Sequence, residues 1–281
     1  MVGGVAYEHG HRMIAAGVGL LTIVLAIWTW RRDRRGWMRG LTLIAVLGVI
    51  FQGVLGGLSV LSANWQGLFW RPLLATAHGV VGQTMFCVLA AVALFTGRAW
   101  HEEPVYVVRG SIAQRLRLSS ALLVAFLFLQ LIFGAAFRHT WTKLGPVGAE
   151  SVSASSIVTW LLMPHMANAL LVVALIVWAT MLVFRDCRGA TQLRLPAISL
   201  HVLLLAQLIL GVGAFLTRVV WHMDTPQPQS ALVGFTVAHQ TVGALLLAVA
   251  VVLAIQVRRA AASKGEPTPM AGVRAVEAVS A

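Results

Sequence analysis

The sequence predicts an all-α protein: a polytopic bundle of about seven transmembrane helices in two pseudo-two-fold halves, with its chemistry near the outer membrane face. Three observations carry that expectation. The 281 residues are 59% hydrophobic and only 11% charged. Apolar stretches recur near the length of about 20 residues that a helix needs to cross a bilayer. A Gln-x-x-x-Gly pattern and a His-x-x-x-small pattern alternate along these stretches, which marks an internal repeat.

The first expected span, A, covers about 12–30 and follows the short polar stretch "EHGHR"; B covers about 40–62 and C about 74–96. Spans D, E, F and G cover about 119–137, 157–184, 196–217 and 233–257. No soluble domain remains between them. Span A is a poor cleavable signal, because its basic residues follow the apolar run and no small-residue cleavage site is evident. The tail at 260–281 is small and polar, and is expected to be disordered.

A formal charge of +12 raises the question of nucleic acid, and the positions of the charges answer it in favour of the membrane. Sixteen of the 21 basic residues fall after spans A, C, E and G, from Arg31 through Arg274. By the positive-inside rule that side is cytoplasmic, with the N-terminus outside and the C-terminus inside. Contact with membrane lipids follows from this reading and binding of nucleic acid does not; the location expected is the inner membrane of a bacterial or archaeal cell. Cys87 falls within a span and Cys187 in a cytoplasmic loop, so a disulfide between them is not expected.

The repeat has a regular form. Spans B, D and F carry Gln52 and Gly56, Gln130 and Gly134, and Gln207 and Gly211. Spans A, C, E and G carry His11 and Ala15, His78 and Gly82, His165 and Ala169, and His239 and Gly243. Residues four apart share a helix face. Small residues at that spacing let helices approach closely, and an intramembrane amide hydrogen-bonds across helices, so packing alone accounts for part of the pattern.

Four histidines at equivalent depth, within one to two turns of the outer surface, call for more, since burying polar groups there is costly and tied to function. His11 with His78, and His165 with His239, form two facing pairs. Two imidazoles from two helices, each with a small residue one turn below, suit a haem, which takes axial nitrogen ligands and needs room for a flat ring. Zinc fits less well, since its sites collect three or four protein ligands, and a proton relay remains an alternative. Arg12, Arg71, Arg138 and Arg218 lie on the outer side, placed either to pair with propionates or to snorkel to headgroups. Trp65, Trp70, Trp141 and Trp221 are expected in an interfacial belt, and Pro164 is expected to kink span E just before His165.

Glu8 stands three residues before His11, on the same helical face; no carboxylate stands there before the other three histidines. One reactive site and one electron-carrying site would follow, against the alternative of a carboxylate favoured by the helix dipole.

At these residues the chain resembles the haem A synthase family, membrane enzymes that convert haem O to haem A for cytochrome oxidases. The resemblance rests on "EHGHR", "QGVLGGLSVL", "AHGVVG", "QLIFGAAFRHT" and "AHQTVGALLL", and covers nearly the whole chain from Glu8 to span G. It implies that His165 and His239 hold a haem b cofactor as axial ligands of its iron. It further implies that His11, His78 and Arg12 line the substrate-haem site, with Glu8 and His11 catalytic. A ring methyl would be oxidised by successive hydroxylations to a hydrated aldehyde, which loses water to leave a formyl group. Residues 1–117 would then form the N-terminal half with the substrate site, and 118–259 a four-helix haem b half. The family pattern implies eight spans, so a first helix and its outer loop are expected to be missing ahead of His11; Met166 stands where the family commonly has an arginine. Haem O synthase or an oxidase assembly partner, and a homo-oligomer, are the protein partners this reading allows. The alternative reading is a non-catalytic membrane haem b protein for electron transfer or haem delivery. A solute transporter, which would bind no haem, is a third.

Overall fold

The computed structural model describes residues 2–62, 70–102, 105–144, 154–223 and 228–262, with side chains described from His9 onward except at 142–144, 154–155 and 262. Their regular structure is helical throughout: α1 (Val2–Arg32), α2 (Gly36–Leu61), α3 (Trp70–Thr96), α4 (Arg98–Glu102), α5 (Gly110–Leu144), α6 (Ala154–Ile157), α7 (Met163–Asp186), α8 (Thr191–Phe215) and α9 (Ser230–Ala262). Seven of these, with their π-helical extensions, are long and apolar enough to cross a membrane, so the chain is a multi-pass membrane protein of helical bundle class.

The helices are longer than the apolar runs. Helix α1 begins at Val2, well before position 12, and α5 extends from Gly110 to Leu144, past both ends of span D. Hydropathy marks the part of a helix that lies in hydrocarbon, whereas the hydrogen-bond ladder continues through charged interfacial turns. The stretch "EHGHR" is therefore helical. The expected tail beyond Ala262 lies outside the described residues, as does Trp65.

Two π-helical turns, Val158–Leu162 and Leu216–Val220, lie at the start of α7 and the end of α8. At Pro164, where a kink is expected, the α-helical ladder is interrupted by a π turn. The proline stands at the second position of α7, and the turn before it closes with Met163 N–H bonding back five residues to Val158. Proline has no N–H to return to residue 160, and the ladder widens just there.

Helices α5, α7, α8 and α9 form a closed ring, each packed on its two neighbours. In the other half α1 packs along α2, and α2 along α3; beyond α2, the His11 ring of α1 meets the His78 ring of α3. Helix α3 joins the two groups, lying against both α5 and α9. The main core fills the half of the ring away from the π turns, where Leu123, Ile176, Leu200 and Leu253 are fully buried among Ala197 and Ala250. Lipid is as apolar as leucine, so these helices are held by close van der Waals packing, which small residues permit. Trp141, expected at the lipid interface, is only 3% exposed and packs against Phe137 in a second cluster beside the π turns. Cys87 and Cys187 are free and buried; burial, then the Asp186 charge, pushes the Cys187 thiol up to about 11.

The end of α1, the start of α2 and the end of α3 are braced together by charge. Arg35 donates to both carboxylate oxygens of Asp33 and to the carbonyl of Phe95 at the end of α3, and its guanidinium lies 5.0 Å from the Trp37 ring. The Arg35 hydrogen bonds hold the Asp33 carboxyl down at about 2, below the ordinary value near 4. A depressed folded value adds stability above the unfolded pKa and loses it as pH falls through the folded one. Thermal unfolding in detergent should therefore be insensitive to this pair above about pH 4 and weaken between about 4 and 2. Asp33→Asn should remove that acid-side slope and cost about 1 kcal/mol at neutral pH.

Candidate functional site

Each Gln-x-x-x-Gly helix packs on the histidine helix that follows it, and the two motifs interlock. A Cβ placed on Gly56 would come 3.2 Å from His78 Cε1; on Gly134, 2.8 Å from His165 Cε1; on Gly211, 3.1 Å from His239 Cε1. Glycine is required because each imidazole lies directly on bare backbone. The reciprocal contact sets the glutamine amide over the small residue after the histidine: a Cβ on Gly82 would meet Gln52 Nε2 at 2.7 Å, and on Gly243 would meet Gln207 Nε2 at 3.0 Å. The repeat legible in the sequence is thus a two-way lock that fixes where each imidazole stands.

The locks also fix which ring nitrogen carries the proton. His165 Nδ1 lies 3.2 Å from the Gln130 carbonyl, and His239 Nδ1 lies 3.2 Å from the Gln207 carbonyl. A carbonyl only accepts, so each Nδ1 is an N–H donor and each Nε2 carries the lone pair. The glutamine amides agree, placing Nε2 of Gln130 3.2 Å from His165 Nε2 and Nε2 of Gln207 3.3 Å from His239 Nε2. In the third lock Gln52 Nε2 donates to the His78 carbonyl instead, at 2.7 Å.

Sequence spacing missed Asn168, which is buried and donates from Nδ2 to the Phe126 carbonyl and to Gln130 Oε1 at 2.6 Å. Its signal is the interval His-x-x-Asn in "PHMANA", which puts the amide one turn from the imidazole. Gln207 Oε1 and Gln52 Oε1 have no such partner and are buried without a hydrogen bond.

The structure brings the four histidines together as two pairs. The His11 and His78 rings are 6.3 Å apart with an interplanar angle of 76°; the His165 and His239 rings are 6.4 Å apart at 70°. Metal–imidazole bonds are about 2 Å long, so one iron between two opposed imidazoles separates their ring centres by about 6 Å. Both pairs meet that spacing, and in the second the Nδ1–H donors make Nε2 the lone-pair nitrogen, which accepts from the glutamine amide here and would turn from that amide to bind a metal. Among the described residues no group of three or more His, Cys, Asp or Glu side chains is placed to share a metal ion, which suits a two-ligand haem better than zinc.

The surroundings of the two pairs differ. His165 and His239 face a cavity of about 390 Å³ in the half of the four-helix ring that carries the π turns, within the range of small-molecule and cofactor sites. Its wall is mostly apolar. Arg138 and Arg218 line it from the C-terminal part of α5 and the second π turn; Arg138 donates to Gln240, and Arg218 to Thr236 at 3.4 Å. Both π turns border it, a recurrent position for such turns at functional sites. Met166 lines it as well, a thioether where the family resemblance leads one to expect a guanidinium. His78 is half-buried, whereas His11 and Arg12 are exposed on α1; Arg71 is half-buried. Residue 8 lies one turn before His11 in α1; the Glu8 side chain lies outside the described residues.

Comparison with known families places this geometry. The sequence model of the COX15-CtaA family, described as cytochrome oxidase assembly protein, matches residues 5–251. The chain belongs to that family. Among its relatives are proteins named "Heme A synthase": from Rhodopseudomonas palustris strain BisA53, 28% identical over 86% of this chain and 66% of the relative; from strain BisB5 of the same species, 27% identical over 94% and 71%. A third, from Alkalihalophilus pseudofirmus strain OF4, is 26% identical over 50% of this chain and 45% of its own. The chain thus spans about half to two thirds of the length of the first relatives it matches.

Proposed function

We propose that this COX15-CtaA family member is a membrane oxidoreductase of the haem A synthase type, which oxidises a ring methyl of haem O to the formyl group of haem A for cytochrome oxidase assembly. The observation that carries this reading is the duplication of one histidine pair at nearly the same spacing, 6.3 and 6.4 Å, in two unlike surroundings. One pair is enclosed and suits a retained cofactor. The other is more open and suits a substrate that must enter and leave.

In this reading His165 and His239 hold haem b, which supplies one-electron redox chemistry between donor and substrate site. The Gln130 and Gln207 carbonyls keep Nδ1 protonated and the rings oriented. Arg138 and Arg218 face the propionates at the polar end of the cavity. The substrate haem lies between His11 and His78, with Arg12 near its propionates and Glu8 as acid–base group. The basic bias sets the N-terminus outside and the C-terminus in the cytoplasm of a bacterial or archaeal cell.

The test is production of haem A. A strain that makes haem O, and whose only candidate gene encodes this chain, should accumulate haem A, measured by mass spectrometry of extracted haems; haem O alone would defeat the assignment. A non-catalytic haem b carrier is the second reading, favoured by the exposure of His11 and by α1 packing its backbone along α2 and not on the four-helix ring.

A further inference from the structure

We infer that α3 is a working part of both sites: it carries His78 to one, and with Gly79 and Gln83 it forms a ligand-contacting wall of the other. The inference rests on reading the enclosed cavity as a haem b site.

His78 and Gly79 are consecutive, and on a helix they point about 100° apart. The His78 imidazole lies on Gly56 of α2 and faces His11. Gly79 lines the cavity that holds His165 and His239, although every lining residue outside α3 comes from α5 onward. A Cβ placed on Gly79 would meet no atom within 4 Å, so the bare backbone there borders open space. No packed neighbour demands a glycine at this position, in contrast to Gly56, Gly134 and Gly211. Gln83, four residues on and on the same face, also lines the cavity. It is half-buried and makes no hydrogen bond among the described residues. An amide in an apolar, membrane-embedded cavity is costly without a partner. The partner this geometry offers is the occupant of the cavity.

A planar tetrapyrrole held between His165 and His239 then meets α3 directly at Gly79, with the Gln83 amide against it. The two sites are separated by the thickness of a single helix, about 10 Å. Gly79 sets how close the ring comes, and Gln83 adjusts its electrostatic surroundings and hence its potential.

The test uses the purified full chain, with bound haem b read from its reduced absorption spectrum and its midpoint potential from a redox titration. Gly79→Leu should weaken haem b retention about tenfold by filling the ring's space. Gly79→Ala, which meets no neighbouring atom, should fold and retain haem, and Gly234→Leu, at an open position outside the cavity, serves as the control. Gln83→Leu should keep the haem and shift its midpoint potential, and Gln83→Asn should restore part of the shift; a merely structural amide would move content and stability instead. Unchanged haem content in Gly79→Leu together with an unchanged potential in Gln83→Leu would overturn the inference. If the wild-type chain binds no haem b, or keeps it in His165→Ala and His239→Ala, the cofactor reading falls first and takes this one with it.

Discussion

Replacing either His165 or His239 with alanine should abolish the low-spin b-type spectrum of the purified chain and lower its haem content by about tenfold or more. Loss of a supporting second-sphere contact costs a metal site about 10- to 100-fold in affinity, and loss of an axial ligand should cost no less. The two variants should behave alike, because both histidines are held by the same device: Nδ1–H to a glutamine carbonyl at 3.2 Å, and the ring against a glycine. Gly134→Val offers an independent route to the same loss without touching a ligand. Its first added carbon already falls 2.8 Å from His165 Cε1, so the imidazole must leave its place. His11→Ala, in contrast, should leave this spectrum intact, since His11 is exposed on α1, which packs on α2 and not on the four-helix ring. A b-type signal that survives both His165→Ala and His239→Ala would sink the cofactor site.

Much of this site was legible before any coordinates, because its signal is a spacing. Gln and Gly four apart on one helix, and His and a small residue four apart on the next, must present matched faces, and the structure interlocks them in just that order. The histidine pairing followed from equal depth. What spacing could not show is direction between helices. Nothing in "AHGVVG" says that Gly79 borders the other half's cavity while His78 serves its own, because that depends on α3 lying against α5 and α9. Asn168 escaped for a related reason: its partner Gln130 is 38 residues away, and neither residue type alone signals the other. Helix ends were misjudged because hydropathy reports the bilayer and not the hydrogen-bond ladder. The π turns were invisible, although Pro164 marks the place of one. Trp141 shows the limit of the interfacial-belt rule, since a tryptophan at membrane-surface depth can equally close a small core.

Glu8→Ala should reduce conversion of haem O to haem A by about 10²- to 10⁴-fold, the usual contribution of a positioned acid–base group, while leaving the haem b spectrum unchanged. The asymmetry between the two pairs supports this expectation. Four histidines are equivalent in depth and in their small neighbour, yet only His11 has a carboxylate one turn before it. Helix α1 is continuous through residues 8–11, so that sequence interval puts both residues on one face. If Glu8 served only the helix dipole, Glu8→Gln would keep the fold and most of the conversion, since α1 is a long helix whose stability depends little on one terminal charge. If it moves protons during methyl oxidation, Glu8→Gln should be nearly as impaired as Glu8→Ala, and Glu8→Asp should recover part of the rate. The readout is the ratio of haem A to haem O in extracted haems, taken together with the b-type spectrum of the same preparation. Unchanged conversion in Glu8→Ala with an intact spectrum would remove the acid–base role and leave His11 and His78 as ligands without a carboxylate partner.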